Sequence, residues 1–425
     1  MKTFARFLAV ALLAGSLVSG CSATGGSGKV SVLASWTGDE ETAFRAVLTA
    51  FTEESGIVVD YQGTRALDQV LASDVQRGTA PDVAVLPNPG SLATYVRSGD
   101  LYPLDLGAEA DSYGQQWLNL QKVGTDRQYA VAVKADLKSA IWYNTARLRG
   151  PKPTTWAELV ALGTSLDTPW CLGMGAPPTS GWPGTDWIED ILLHSAGTEV
   201  YRRFSAGTLP WTSPQVRTAW TDWGTLVTGP KSVRGGAAAA LLTDFGDSAK
   251  PMFANPPGCA LEHQASFMMS RYQAIQRPDG SSPRAGADFD FFRFPGRSVS
   301  EVSADLAGMF HDTPQARALT KFLASPKAQA IWPANRSGSA FSANRAVDTG
   351  IYGDPVSKRV ATSLVSDAQL CFDASDLMPA TMTGAFYRAV LEFLSAPSKL
   401  DTLLEQLEKI RQGIPAAGWL NIPCG

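Results

Sequence analysis

Residues 29–86 constrain the fold most strongly, because short apolar runs alternate there with segments whose apolar side chains recur at helical spacing. Such an order of strands and helices is the pattern of a parallel sheet covered by helices, so we predict an α/β fold. In such sheets, ligands bind beyond the carboxyl ends of the strands. The predicted strands are 29–35, 57–61 and 83–86, the predicted helices are 39–54 and 65–77, and the strand ends are 36–40, 63–65 and 87–90.

The rest of the chain continues to mix predicted strands and helices. Residues 167–186 are rich in Pro, Gly and Trp, and a long loop of this kind inside a compact domain is usually functional. Further strands are predicted at 129–133, 141–144 and 259–267, and further helices after Thr154 or Thr155 and at 187–196, 213–227, 237–240, 314–324, 329–332 and 400–411.

The first 20 residues have the three parts of a secretory signal peptide. Lys2 and Arg6 supply the basic start. Residues 7–17 form an apolar run that is too short to span a bilayer, and small residues precede Cys21. This arrangement resembles the lipobox of bacterial lipoproteins, which implies cleavage before Cys21 and lipid on that residue. The alternative is an ordinary secretory signal in which Cys21 falls there by chance.

A polar tether is predicted after the anchor. Residues 22–28 contain no apolar side chain larger than alanine, and such a segment is flexible. The folded part should therefore begin near Lys29 and work outside the cytoplasmic membrane. Removal of Lys2 and Arg6 would lower the net charge from −4 to −6. This mild acidity argues against a nucleic-acid partner, which requires a basic face.

Four cysteines remain beyond Cys21: Cys171, Cys259, Cys371 and Cys424. An even number in an oxidising compartment predicts two disulfides, and four cysteines allow three pairings. Sequence separation favours Cys171–Cys259 and Cys371–Cys424, since each would staple one contiguous region. A metal site is the alternative, but no two cysteines have CxxC spacing and the three histidines are scattered. We therefore expect neither a metal nor a cofactor.

Several short patterns occur in a characteristic order along the chain. They are Trp36-Thr37-Gly38 with Glu40, Pro81-Asp82-Val83, Lys138 to Asn144, Thr155 to Leu159, and Met378-Pro379 ahead of Phe386. Together with the lipobox, they resemble the extracellular solute-binding lipoproteins of carbohydrate ABC importers, within the maltose-binding-protein-like family. Residues 181–190 and 256–267 resemble the α-glucoside-binding branch of that family more closely.

The resemblance implies a two-lobe periplasmic-binding-protein fold, in which hinge segments cross between two α/β lobes and the ligand binds in the cleft between them. Both favoured disulfides would lie inside the second lobe, so neither would prevent closure by hinge motion. The implied crossings lie near 134–138, 303–308 and 344–352, with lobe 1 formed by 29–134 and 305–345 and lobe 2 by 137–302 and 348–425.

The same resemblance implies the substrate-binding component of an ABC sugar importer. A monomer would capture a neutral α-glucoside, either a disaccharide or a short oligosaccharide, and deliver it to permease subunits. The twelve tryptophans all lie beyond residue 28, and flat aromatic surfaces also serve sugar binding. A sugar-sensing surface lipoprotein is one alternative.

A secreted glycoside hydrolase is the other alternative, and it would need two carboxylates on opposite sides of the scissile bond. Asp186 with Glu189 or Asp190 could be imagined in that role. Residues three or four apart share one helix face, however, and do not flank a bond. The chain contains no GxSxG, HExxH, GxxxxGK or CxxC pattern, so we do not expect an enzyme.

Polar side chains in lobe 1 and at the crossings are candidate sugar contacts, because charged groups make the stronger hydrogen bonds to hydroxyls. Some have an ordinary alternative: Glu40 suits a helix start, Arg65 suits a surface helix, and Lys134 could pair with Asp136. Many family members carry an acid near Asn88, and this chain does not. The candidates here are Trp36, Glu40, Arg65, Asn88, Lys134, Asp136 and Asp305.

The aromatic-rich segment 182–187 provides the main candidates in lobe 2. We expect Trp182 and Trp187 to form a platform for a sugar ring, with Asp186 beside them. Trp187 could instead be the first apolar residue of its helix, and Asp186 could be its N-cap. The remaining candidates are Asp244, Phe245, Gln264, Ser266, Met382, Phe386 and Tyr387.

Overall fold

The computed structural model describes residues 28–335, 339–366 and 369–425. The predicted signal peptide, Cys21 and all but the last residue of the tether lie outside these ranges. Within them, no helix is both long enough and apolar enough to cross a membrane. The described residues form a mixed α/β fold with two β-sheets, which confirms the predicted fold class.

The larger sheet begins with three parallel strands, as predicted. β1 (Lys29–Ala34) lies between β2 (Val58–Gly63) and β3 (Val83–Leu86). The helices α1 (Asp39–Ser55) and α2 (Leu67–Arg77) connect these strands in sequence. Because the strands are parallel, their carboxyl ends meet at one edge of the sheet, where the predicted binding segments lie.

Two antiparallel strands extend the larger sheet. β4 (Ala130–Leu137) pairs with β8 (Val299–Met309), and β8 also pairs with β3. The first residues of β8 pair in parallel with β9 (Gln369–Phe372). The register of β4 against β8 shifts between Ala132 and Lys134, which is an irregularity of the bulge type.

The smaller sheet starts immediately after β4. Its central strand is β5 (Ala140–Asn144), which pairs antiparallel with β6 (Leu261–His263) and β7 (Phe289–Arg293). The chain thus leaves the larger sheet along β4, enters the smaller one at β5, and returns along β8. These two passages lie at two of the crossings that the resemblance implied.

Helices surround both sheets. The start of α5 shows how the sequence sets a boundary, because the Thr155 hydroxyl accepts from the Glu158 N–H and the Glu158 carboxylate accepts from the Thr155 N–H. The other helices are α3 (Pro89–Ser98), α4 (Gln115–Gln121), α5 (Trp156–Ser165), α6 (Trp182–Ala196), α7 (Thr198–Ser205), α8 (Pro214–Val227), α9 (Gly236–Leu242), α10 (Met268–Ala274), α11 (Pro314–Ala324), α12 (Pro326–Asn335), α13 (Pro355–Val365), α14 (Ala374–Leu377), α15 (Ala380–Ser395) and α16 (Leu400–Gly413).

Buried apolar side chains form two clusters. The first surrounds the larger sheet and includes Trp117, and the second surrounds part of the smaller sheet and includes Trp220. The first cluster extends to Met269 and Val360, which the implied boundaries assign to lobe 2. The boundaries of the two lobes therefore remain a prediction.

The start of α6 differs from the sequence prediction. The helix begins at Trp182 rather than Trp187, because Gly181 takes a φ of 109° at the N-cap and Pro183 occupies the first turn. Asp186 therefore lies inside the helix and is not its N-cap. This extra turn carries aromatic and acidic side chains into the region between the sheets.

Both disulfides are present with the pairing that sequence separation favoured, Cys171–Cys259 and Cys371–Cys424. Each joins segments that backbone hydrogen bonds also hold together. The Cys171 N–H donates to Leu261 O over 2.8 Å, and Leu370 exchanges two backbone hydrogen bonds with Gly425. Cys259 itself precedes β6, which is shorter than the predicted strand 259–267.

Candidate functional site

A cleft of about 450 Å³ opens beside the carboxyl ends of β1, β2 and β3. Its walls come from the segments that follow those strands, from β4 and β8 of the larger sheet, and from α6 and α14. A volume of this size falls in the range of small-molecule sites. The residues that line it are Ser35, Trp36, Glu40, Arg65, Leu67, Asp68, Gln69, Pro87, Asn88, Lys134, Asp136, Lys138, Ala176, Pro177, Pro178, Thr179, Trp182, Asp186, Asp244, Phe245, Phe267, Arg271, Ser303, Ala304, Asp305, Asp373, Ser375, Asp376 and Tyr387.

Most of the candidates chosen from the sequence lie in this cleft. All seven candidates of lobe 1 and the crossings line it, together with five of lobe 2. Trp36 borders the cleft with only 2% of its surface exposed, because its ring packs edge-on against Phe44 and Trp332. The five lining candidates of lobe 2 are Trp182, Asp186, Asp244, Phe245 and Tyr387.

Trp187 is not part of the cleft, and the expected two-tryptophan platform is wrong. Its side chain is 1% exposed and packs edge-on against Trp170, with ring centres 4.9 Å apart. The His263 ring lies tilted against it, with ring centres 4.5 Å apart. Adjacent residues on a helix point about 100° apart. Since Asp186 faces the cleft, Trp187 turns into the core.

Four further candidates also lie outside the cleft. Met382 and Phe386 are fully buried in the second cluster, where the Phe386 ring packs against Trp211 at 4.8 Å. Gln264 is buried at the end of β6. Ser266 is buried as well, but its hydroxyl donates to Asp136 Oδ1 over 2.8 Å and so helps to position a carboxylate that lines the cleft.

A chain of charges ties the β1 side of the cleft to β4. Lys134 Nζ lies 3.1 Å from Glu40 Oε1 and 3.9 Å from Asp136 Oδ2, and Arg65 donates to Glu40 Oε2 over 3.0 Å. Burial opposes ionisation of Glu40, yet the two cations lower its pKa to about 2. On the neighbouring strand β8, burial raises the pKa of Asp305 to about 7, against the opposing effect of Lys134.

A second chain of charges lies on the α6 side. Lys138 Nζ lies 2.8 Å from Asp186 Oδ2 and 2.8 Å from Asp373 Oδ2. Burial raises the pKa of Asp186 in spite of Lys138. Asn88, which follows β3, donates to Asp376 Oδ1 on α14 over 3.2 Å, so these two walls of the cleft touch through one hydrogen bond.

Three aromatic rings form an apolar wall between these polar groups. The Trp182 ring lies 5.0 Å from Phe245 and 6.1 Å from Phe267, and the two phenylalanine rings lie 6.1 Å apart. Lys138 Nζ lies 5.2 Å from the centre of the Trp182 ring. All three rings are partly exposed and border the cleft, so they offer a surface against which an apolar ligand face can pack.

Sequence reasoning missed several groups at the centre of the cleft. Lys138 was a predicted crossing residue, so its position in the chain was a usable signal. Asp373 and Asp376 precede the recognised Met378-Pro379 pattern, but they reach the cleft through the pairing of β9 with β8, which no local pattern reveals. Phe267 was assigned only to the end of a strand.

The imagined hydrolase pair does not assemble. Asp186 lines the cleft, whereas Glu189 and Asp190 are fully buried behind it. The Ser139 hydroxyl donates to Asp190 Oδ1 and His263 bonds Asp190 Oδ2, so the order is serine, aspartate, histidine. A hydrolytic triad requires histidine between the other two, next to the serine oxygen.

The amino-acid sequence matches the family model described as bacterial extracellular solute-binding protein over residues 35–330. It is 35% identical over 397 residues to AglE, the alpha-glucosides-binding periplasmic protein of Rhizobium meliloti. This alignment covers 88% of this chain and 84% of AglE. The sequence is 33% identical over 386 residues to GgtB, the osmoprotective compounds-binding protein of Synechocystis sp., which covers 86% of this chain and 88% of GgtB.

The fold is similar to that of the bacterial solute receptor AcbH, with a TM-score of 0.76 at 17% identity over 91% of this chain and 99% of AcbH. AcbH is described as having an exclusive preference for β-D-galactopyranose. This likeness confirms the predicted two-lobe α/β fold. The family match and the two relatives show that the chain belongs to the bacterial extracellular solute-binding proteins.

Proposed function

We propose that this protein is the substrate-binding component of an ABC importer and that it captures a neutral α-glucoside, a disaccharide or a short oligosaccharide. The likeness to AglE supports the α-glucoside class. The observation that carries the proposal is the cleft itself, in which the partly exposed rings of Trp182, Phe245 and Phe267 border several carboxylates. Such a surface suits a sugar ring, which has an apolar face and hydroxyls at its edge.

The charges of the cleft favour a neutral ligand over an anionic one. Eight carboxylates and four basic side chains line it, so acids exceed bases by two to one. Carboxylates accept hydrogen bonds from hydroxyls, and these charge-assisted bonds are the stronger kind. A sugar phosphate or a sugar acid would meet more acidic than basic side chains. The acids are Glu40, Asp68, Asp136, Asp186, Asp244, Asp305, Asp373 and Asp376, and the bases are Arg65, Lys134, Lys138 and Arg271.

The cellular setting completes the proposal. Cys21 would carry the lipid after cleavage of residues 1–20, and the tether would let the monomeric body reach its permease. The two lobes would close over the sugar by movement about β4 and β8, which connect the two sheets. Gln264, Ser266, Met382 and Phe386 would then support the site from behind rather than contact the sugar.

The experiment is a binding panel on the purified chain. Maltose, trehalose and sucrose are titrated by calorimetry and tryptophan emission, with glycine betaine included because of the likeness to GgtB, and an oligopeptide as a negative control. We expect an α-glucoside to bind with roughly micromolar affinity, about −8 kcal/mol. Binding of the peptide or of betaine, with no binding of any sugar, would refute the assignment.

Two tryptophan variants locate the site. Trp182→Ala should weaken sugar binding tenfold or more, because it removes the largest of the three rings of the aromatic wall. Trp156→Ala is the matched control, since Trp156 is also partly exposed but packs on Phe294 away from the cleft. Equal affinity of both variants for the sugar would remove Trp182 from the site.

A further inference from the structure

Three carboxylates meet at the back of the cleft, where one of them lines the cleft and the other two lie buried behind it. They are Glu189 on α6, Glu301 on β8 and Asp373 immediately before α14. All three are buried, with 0%, 0% and 1% of their surfaces exposed. One oxygen from each lies within 4.8 Å of the others. Side chains from three separate elements therefore converge on one point.

Glu301 has no hydrogen-bond partner among the described residues for either carboxylate oxygen, and Glu189 Oε1 also has none. The other oxygen of Glu189 accepts from the backbone N–H groups of Ala374 and Ser375. A buried charge is normally paired or bound to a metal, because its transfer from water is costly. The two free oxygens of Glu301 therefore leave an ionised Glu301 without a counter-charge.

The neighbouring cation does not supply it. Lys138 Nζ contacts Asp373 Oδ2, but it is shared with Asp186 at the same distance of 2.8 Å. Asp190 is satisfied separately by Ser139 and His263. Ionised Glu189, Glu301 and Asp373 would carry three negative charges against one shared positive charge.

We propose that Glu189, Glu301 and Asp373 bind one divalent cation, calcium in preference to magnesium. The ligands are all carboxylate oxygens, which hard cations prefer, and the absence of CxxC or histidine spacing in the sequence does not bear on such a site. Two oxygens on one Ca²⁺ can lie up to roughly 4.6–5.2 Å apart, twice the usual bond length, whereas on Mg²⁺ the limit is about 4.2 Å. The three oxygens lie within 4.8 Å of one another, a separation that one Ca²⁺ can span, and Mg²⁺ suits a buried site of protein oxygens less well because it usually keeps several waters.

The position of the site predicts its role. The cation would join α6, β8 and the start of α14, which are the elements that present Asp186, Asp305 and Asp376 to the cleft. It would act as a structural cross-link that assembles one wall of the cleft. This role is independent of which solute the protein carries.

The test uses refolding, because the site is enclosed and a bound ion would exchange slowly. The full mature chain is unfolded in urea and refolded with EDTA, CaCl₂ or MgCl₂ at equal ionic strength. Metal content is measured by elemental analysis and native mass spectrometry, and the melting temperature is measured for each sample. We expect one calcium ion per chain and a melting temperature several degrees higher with calcium than with EDTA, with a smaller rise for magnesium.

Two matched variants make the result specific. Glu301→Gln should bind no calcium and lose the calcium-dependent rise, yet melt above the wild type in EDTA because it removes an unpaired charge. Glu262→Gln is the control, because Glu262 is equally buried but already accepts from Ser248 and Tyr272. It should keep the calcium response.

Two outcomes overturn the proposal. One is a wild-type chain that refolds equally well in EDTA and calcium and carries no metal, which would mean that the acids hold protons instead. The other is an identical calcium response in wild type and Glu301→Gln. If Glu301→Gln does not fold, Glu189→Gln takes its place and is judged by the same metal content.

Discussion

Lys134 Nζ lies 3.1 Å from Glu40 Oε1, although the two residues are 94 positions apart in the sequence. Lys134 belongs to β4, which leads out of the larger sheet, and Glu40 belongs to the first turn of α1. The lysine side chain is 4% exposed and the glutamate side chain 17% exposed. This ion pair fixes the strand that joins the two sheets to the first helix beside the cleft.

Removal of this lysine should therefore be costly. Lys134→Met removes the buried cation that Glu40 and Asp136 share and leaves Asp136 without it, so we expect the free energy of unfolding to fall by about 3–5 kcal/mol. The measurement is urea denaturation at neutral pH. Lys29→Met is the control, because the Lys29–Asp60 pair is well exposed and should contribute about 1 kcal/mol or less. Equal losses in the two variants would contradict this prediction.

Ionised Glu40 should stabilise the folded protein, and this stabilisation should be lost at acidic pH. Lys134 and Arg65 lower the folded-state pKa of Glu40 to about 2, below the ordinary value of 4.5. The unfolded chain then binds the proton more tightly, so the stabilisation is present above pH 4.5 and is lost as pH falls toward 2. Glu40→Gln should show a shallower loss of stability than wild type across that window, measured by urea denaturation at several pH values. If the free energy of unfolding falls with pH equally in Glu40→Gln and in wild type, this prediction is refuted.

Glu262 should have the opposite pH dependence. It is buried in β6, and burial raises its pKa from 4.5 to about 7, although Ser248 and Tyr272 donate to it. The folded state then binds the proton more tightly, so stability should fall as pH rises from 4.5 through 7. Glu262→Gln cannot ionise and should lack this fall. The difference in melting temperature between variant and wild type, followed from pH 5 to pH 8, measures it.

Much of the fold and part of the site follow from local sequence patterns. The strands and helices of residues 29–86 alternate regularly, so their parallel order and the shared edge at Trp36, Arg65 and Asn88 could be predicted. The boundaries of the lobes stay a prediction, and Val360 packs with a cluster that belongs mostly to distant residues. Local periodicity identifies an amphipathic helix but not its partner.

The errors in the predicted binding site also arise because local sequence patterns do not reveal tertiary packing. Trp187 was expected at the first position of its helix, but the helix begins five residues earlier and the Trp187 side chain lies in the core. Asp373 and Asp376 become neighbours of Lys138 and Asn88 only through tertiary pairing. The sequence shows that acidic and aromatic side chains are present. Which of them line the cleft is determined by the tertiary structure.

Trp187 should therefore matter for stability. Trp187→Ala removes a fully buried ring that packs against Trp170, His263 and Phe294, so we expect a loss of about 3–5 kcal/mol. Urea denaturation measures the loss. Sugar affinity, measured at a temperature where the variant is folded, should change much less than in Trp182→Ala. A Trp187→Ala variant that is as stable as wild type but binds no sugar would show that Trp187 contacts the sugar.

The disulfides should stabilise the chain without controlling the sugar. Each closes a long loop, with separations of 88 and 53 residues, and a disulfide of this kind contributes about 2–4 kcal/mol. None of the four cysteines lines the cleft. The double variants Cys171→Ala/Cys259→Ala and Cys371→Ala/Cys424→Ala should therefore each melt at a lower temperature, while the dissociation constant for the sugar changes by less than about threefold, which corresponds to under 1 kcal/mol. A large loss of affinity in a folded double variant would show that the disulfide shapes the cleft, because the backbone hydrogen bonds beside each bridge would then be too weak to hold the cleft walls in place.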